Sequence, residues 1–82
     1  MNREFHGAQW EFVGENAYLT YKHYRVIVST FDTNIALWSI WDKSNASNVQ
    51  PDGGLLAYGS AANYPRACFQ CETWLESQAG KP

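Results

Sequence analysis

The segment Ile35–Trp41 (IALWSIW) is apolar at almost every position. In an extended strand, successive side chains point to opposite faces of the sheet. The two faces of this strand would carry Ala36, Trp38 and Ile40 on one side and Ile35, Leu37 and Trp41 on the other. A strand with two apolar faces is typical of a central strand, or of a sheet that is covered on both sides.

Further strand patterns surround this segment. The clearest is Tyr24–Thr30 (YRVIVST), because its β-branched side chains pack well on a pleated surface. Shorter patterns lie at Gln9–Val13, Ala17–Lys22 and Leu55–Tyr58. Residues 18–30 contain neither Gly nor Pro. They therefore fit either one long strand with a bulge or two strands joined by a turn.

The C-terminal part of the chain changes to a helical pattern. Pro65 suits the first turn of a helix, and Asn63 or Ser60 is the candidate N-cap. Gly80 is placed to end the helix. The positions that follow i, i+3, i+4 spacing are Tyr64, Ala67, Cys68, Cys71, Trp74, Leu75 and Gln78. The spacing predicts a helix over about residues 63–79 with one face against a sheet.

These patterns predict an α+β fold, an antiparallel β-meander of about four strands packed against one C-terminal α-helix. The 82 residues fit a single domain, residues 1–82. Within it, residues 1–8 are predicted to be a flexible arm, with Phe5 as its candidate anchor. The polar stretch over residues 42–54 (DKSNASNVQPDGG) is predicted to be a long loop. Aromatic residues make up 16% of the chain and would supply much of the core.

Charge and hydropathy favour some classes of partner over others. The formal net charge is −2, and the basic residues are scattered rather than gathered in a stripe. Nucleic-acid binding is therefore not favoured, since such stripes supply most of the non-specific affinity. No apolar run approaches the ~18–20 residues that span a bilayer. Because the N-terminus lacks the apolar stretch of a signal peptide, we expect a cytoplasmic protein without membrane contact.

The sequence Cys68-Phe69-Gln70-Cys71 spells a CxxC motif. A redox motif of this kind is expected after a strand in a βαβ unit, and a zinc site needs two further ligands. Both cysteines instead fall on the apolar stripe of the helix, so core packing is the favoured interpretation, with metal binding and redox chemistry as alternatives. Neither His6 nor His23 can be paired with a nucleophile, and no catalytic residue or cofactor is expected.

The aromatic residues are the more informative signal. The face that receives the helix is predicted to carry Val26, Val28, Trp38 and Ile40. The opposite face is predicted to carry Trp41, Leu37, Ile27 and Tyr21. Exposed apolar surface marks interfaces, and Trp and Tyr are common in binding hot spots. The alternative is that the arm, the long loop or a curled sheet covers these side chains.

We therefore expect a small non-enzymatic interaction module that binds a protein partner, or a second copy of itself, through the aromatic sheet face. Two other functions remain open at this point. Sheet aromatics can stack on single-stranded nucleic acid, and Cys68 with Cys71 would serve a small metal or redox protein. In architecture the chain resembles many short bacterial or phage proteins, and that resemblance implies no particular activity.

Overall fold

The computed structural model describes residues 3–32, 35–45 and 54–79 of the chain. The strands, in chain order, are β1 (Glu4–Phe5), β2 (Ala8–Gln9), β3 (Glu11–Val13), β4 (Asn16–Tyr21), β5 (Tyr24–Asp32), β6 (Ile35–Asp42) and β7 (Gly54–Ala61). A short 3-10 turn (Lys43–Asn45) follows β6, and the helix α1 (Tyr64–Ala79) follows β7.

Strands β3 to β7 form one antiparallel sheet in which each strand pairs with its neighbours in sequence. Strands β1 and β2 form a separate hairpin. Helix α1 packs against β5, β6 and β7. The predicted α+β fold, an antiparallel meander with one C-terminal helix, is therefore confirmed, with five strands in the meander. In the described part of the chain, no helix combines the length and apolar character that a membrane crossing requires.

Tight two-residue turns join the first strands. The β4–β5 turn is Lys22-His23, and Tyr21 pairs directly with Tyr24 across it. Residues 18–30 therefore form two strands. The first turn residue has a positive φ in all three of these hairpins, 48° at His6, 60° at Gly14 and 54° at Lys22. A lysine at positive φ is uncommon, since Gly or Asn usually occupies such a position. The β4–β5 turn has neither residue, and therefore nothing in the sequence marks it.

The core lies between α1 and one face of the sheet. Its fully buried members from the sheet include Leu19, Val26, Val28 and Ile40, and those from the helix include Cys68, Cys71 and Leu75. Trp38 is half-buried, and its indole N–H donates to Gln70 Oε1 on the helix at 2.8 Å. The helix-side positions predicted from alternation are therefore confirmed. Of the two candidate N-caps, Ser60 lies within β7, and Asn63 caps the helix: its Oδ1 accepts a hydrogen bond from the Arg66 amide at 3.0 Å.

The N-terminal segment differs from the predicted flexible arm. From residue 4 onward it forms the β1–β2 hairpin, whose turn residues His6 and Gly7 both have positive φ. Phe5 is buried, as is Trp10 directly after β2. The hairpin is fixed because these two rings enter the hydrophobic core, an outcome that depends on tertiary packing rather than on local pattern.

The predicted loop over residues 42–54 is described only at its ends. Asp42 closes β6, and its Oδ1 accepts hydrogen bonds from the Ser44 amide at 2.9 Å and the Ser44 hydroxyl at 2.5 Å. These bonds cap the 3-10 turn and hold the pKa of the Asp42 carboxyl below its usual value. Gly54 begins β7. Residues 46–53, and the predicted helix end at Gly80, lie outside the described residues.

Candidate interaction surface

The sheet has one face turned away from the helix, which we call the open face. Its side chains form three cross-strand rows because the strands pair in register. The central row is Glu11, Tyr18, Ile27, Ser39 and Tyr58. A row on one side is Thr20, Arg25, Trp41 and Leu55. A row on the other side is Val13, Asn16, Ser29, Leu37 and Ser60.

Several apolar side chains on the open face are well exposed. Tyr58 is 76% exposed, Leu55 48% and Leu37 43%. Trp41 is half-buried, and its indole N–H donates to Ser39 Oγ at 2.9 Å within the same face. Because this bond already satisfies the polar atom of the indole, the rest of the ring offers apolar surface. These apolar groups lie on the two neighbouring strands β6 and β7, so they form one patch of the open face rather than a set of isolated exposed residues.

One end of the open face is polar. A groove of about 230 Å³ is lined by Gln9, Glu11, Tyr18, Thr20 and Arg25. The Arg25 guanidinium lies 5.1 Å from the centre of the Tyr18 ring, and its Nη1 donates to Thr20 Oγ1 at 3.0 Å. These two contacts orient the guanidinium on the sheet. An oriented guanidinium is well suited to recognise a carboxylate through paired hydrogen bonds.

The structure brings together three of the four side chains predicted for this face. Ile27, Leu37 and Trp41 all point away from the helix, with Leu37 and Trp41 on β6 and Ile27 on the adjacent β5. Tyr21 lies on the opposite side. It packs against the core cluster, and its ring makes an edge contact with Phe5 at 4.9 Å between centroids. The assignment of Tyr21 to the open face is corrected, because Tyr21 shares the helix side with Leu19.

The candidate binding residues named from the sequence did not include Tyr18, Arg25, Leu55 and Tyr58, which also lie on the open face. Alternation within β4 would have separated Tyr18 from Leu19 and Tyr21. Leu55 and Tyr58 share a face only because of an irregularity in the pairing of β6 with β7: Trp41 pairs with Leu55, and Ile40 pairs with Ala57, so Leu56 is an extra residue. A bulge of this kind has no signal in the residues themselves.

The two cysteines lie in the core, as the helical spacing predicted. Cys68 is 1% exposed and Cys71 is fully buried. Burial raises the pKa of the Cys68 thiol to about 11, although the nearby Arg3 charge acts in the opposite direction. Burial also raises the pKa of Cys71. The thiolate is the nucleophile and the metal ligand, so burial suppresses both kinds of reactivity. In the described ranges, no group of three or more His, Cys, Asp or Glu side chains is arranged to hold a metal.

Each histidine has a local partner. His6 Nε2 lies 2.9 Å from Glu76 Oε1, and both side chains are exposed. The His23 ring lies 4.1 Å from the Tyr24 ring, centroid to centroid.

Comparison with protein-family models, with curated proteins and with solved structures gives no match for this chain. The architecture alone therefore defines its class, a small α+β protein with a helix on one face of an antiparallel sheet. Folds of such simple construction serve many functions. The function must be argued from the open face.

Proposed function

We propose that this protein is a non-enzymatic interaction module that binds another protein through the open face. The observation that supports the proposal is that one side of the sheet is buried while apolar side chains on the other side are exposed. Helix α1 and the β1–β2 hairpin bury one side, whereas Leu37, Leu55 and Tyr58 on the other side are between 43% and 76% exposed. Apolar surface of this kind costs solvation free energy until a partner covers it.

The side chains on the open face favour a protein partner. Tyr and Trp provide large contact areas with few rotatable bonds, so they lose little conformational entropy on binding. Tyr58 and Trp41 lie beside the aliphatic Leu55, an arrangement suited to a complementary apolar patch. Single-stranded nucleic acid is less well matched, because Arg25 is the only Lys or Arg among the three rows of the open face and the net charge of the chain is −2.

The polar end of the open face indicates the chemistry of the partner surface. Arg25 is oriented by Thr20 and Tyr18 and lies in the same row as Trp41. A partner that places an apolar side chain against Trp41 therefore brings its neighbouring residue close to the guanidinium. We infer a partner surface with an apolar centre and a carboxylate at one margin.

Site-specific photo-crosslinking in the cell that encodes the protein tests the proposal. A photoreactive benzoyl-phenylalanine is placed at Leu37, on the open face. The matched control places it at Phe69, which is 65% exposed on the helix. We expect position 37 to give discrete adducts with another protein. Position 69 should give none of these adducts. The adducts should be lost when Trp41→Ala is added, while circular dichroism shows that the fold is retained.

Three results would contradict the proposal. Adducts at position 37 that match those at position 69 would show no preference for the open face. Adducts with nucleic acid alone would support the single-strand binding function instead. Adducts with only a second copy of this chain would mean that the open face has no other protein partner.

A further inference from the structure

The two edges of the sheet differ in ways that bear on pairing with further strands. Strand β3, at one edge, has three residues and includes Glu11. Strand β7, at the other edge, has eight residues (GLLAYGSA) with no charge and no proline. Natural edge strands are normally protected by short length, charge, proline or covering structure. Strand β3 is short and carries a charge, whereas β7 is long and carries neither a charge nor a proline.

The pairing of β7 with β6 defines which part of the β7 edge is regular. The irregularity at Ile40 and Trp41 leaves Leu56 as the extra residue. Beyond it, Ala57–Ala61 pairs with β6 without interruption. In an antiparallel strand of this kind, the backbone groups that do not bond to the inner neighbour point outward. In the described part of the chain, no strand occupies that outer side.

We propose that a second copy of this chain pairs with β7 through the edge Ala57–Ala61. The two β7 strands would run antiparallel around a two-fold axis and join the two five-stranded sheets into one. The proposal goes beyond the open face, since it rests on the backbone edge rather than on the exposed side chains.

Two features favour a second copy as the occupant. A two-fold axis places the same strand on both sides of the contact, so any charge on β7 would face a like charge. Strand β7 is uncharged, and pairing with itself therefore carries no repulsion. The pairing also places Tyr58 of both copies on the same side of the joined sheet, so that the open face continues across the two β7 strands.

The size of the contact sets its expected strength. A single pair of strands buries less than the ~1,200–2,000 Å² of a standard stable interface. The dimer should therefore be weak, with a Kd on the order of 10–100 μM. The measurement must cover both sides of that range.

Sedimentation equilibrium combined with residue-resolved amide hydrogen exchange tests the proposal on the purified full chain. We expect the mass to rise from 9.3 kDa toward twice that value as concentration increases. Over the same range, the outward-pointing amides of Ala57–Ala61 should become protected at least severalfold. A monomer up to about 1 mM would overturn the proposal. A dimer without this protection would overturn edge pairing as its basis.

A charged substitution with a matched control gives a second test. Ser60→Lys places a cation in the regular edge of each copy, and we expect Kd to rise at least about tenfold. Ser60→Thr adds a β-branched neutral side chain at the same exposed position and should leave Kd within about threefold. Equal Kd values for the two variants would contradict edge pairing.

The two proposals fail in different experiments. A strictly monomeric protein that still gives adducts with another protein from position 37 would disprove the β7 dimer and leave the open-face function unaffected. A dimer with protected β7 amides that gives no such adducts would disprove the open-face function and leave the β7 dimer unaffected.

Discussion

Strand β6 carries apolar side chains on both faces of the sheet, but the two faces have different environments. On β6, Ala36 and Ile40 are fully buried beneath the helix, whereas Leu37 on the same strand is 43% exposed. The strand supplies apolar residues to both sides, but the described part of the chain has one helix and one short hairpin to cover them, both on the same side. The position of a residue in the alternation of the strand therefore determines which face it lies on. Whether that residue is buried depends on the elements that cover the face.

The covered face is also the more closely fitted one. Gly59 on β7 lies directly against the Trp38 ring, whose Nε1 donates to Gln70 of the helix. On the hairpin side, Glu72 accepts hydrogen bonds from Arg3 at 2.7 and 2.9 Å and from the Trp10 indole at 2.8 Å. The strands, the hairpin and the helix are therefore linked by specific contacts on this face. Four comparisons test how closely this face is packed.

The largest expected effect is on the core itself. Ile40→Ala removes a fully buried side chain and should lower the free energy of unfolding by about 2–5 kcal/mol. Leu37→Ala, on the other face of the same strand, should cost less than about 1 kcal/mol. Urea unfolding measures both. Similar losses for the two variants would mean that Leu37 is as well packed as Ile40 and that the open face is not open.

The contact between Gly59 and Trp38 should give the next largest effect. A Cβ atom on Gly59 would lie 2.6 Å from Cζ2 of Trp38, so the indole must move and strain its bond to Gln70. We expect Gly59→Ala to cost about 1–3 kcal/mol and to change the near-ultraviolet circular dichroism. Ser60→Ala, on the adjacent open-face position, is the control and should stay within about 0.5 kcal/mol. An unchanged unfolding midpoint for Gly59→Ala would disprove the close packing.

The two glutamate contacts between the N-terminal segment and the helix should differ in strength. Glu72→Ala leaves Arg3 and the Trp10 indole without their shared acceptor and should cost about 1–2 kcal/mol, a value reduced by partial exposure of Arg3. Glu76→Ala breaks the exposed contact with His6 and should cost under about 0.5 kcal/mol. Thermal unfolding of both variants measures the difference. Equal losses of stability for the two variants would mean that Glu72 is not the main contact holding the hairpin to the helix.

The smallest effect at neutral pH concerns the thiols. Burial raises the pKa of Cys68 to about 11, from an ordinary value of 9.0. Because the native state favours the protonated thiol, its contribution to stability is complete below about pH 9 and is lost as pH rises through 11. Urea unfolding at pH 8 and pH 10.5 should show a larger loss for the native chain than for Cys68→Ala.

Labelling by a disulfide reagent at pH 8 gives a direct check of the same burial. The native protein should react much more slowly than the protein in denaturant. Fast labelling of the native protein would place the thiols at the surface and reopen the metal and redox interpretations.

Much of the covered face could be predicted from the residues. The spacing of Ala67, Cys71 and Leu75 indicated the buried stripe of the helix, and alternation in β5 and β6 indicated Val26, Val28 and Ile40 as its partners. These patterns are reliable because helices and strands have fixed periods, and side-chain direction follows from the period. Ile27, Leu37 and Trp41 were assigned to the open face by the same reasoning.

Two features could not be predicted in this way. The side of Tyr21 depended on a turn at Lys22-His23, where a lysine adopts a positive φ. The hairpin depended on distant partners, since Arg3 and Trp10 both bond to Glu72 near the other end of the chain. Neither leaves a local signal. One is set by pairing register and the other by contacts between residues more than sixty positions apart.

The sequence by itself determined that this chain has a strand apolar on both sides and a single amphipathic helix. That combination already implied more apolar sheet surface than one helix covers. Only the tertiary structure decided which side chains share the uncovered surface and which edge of the sheet is long and uncharged. The physical reason is that periodicity sets the direction of a side chain, whereas its neighbours are set by register, bulges and the order of strands.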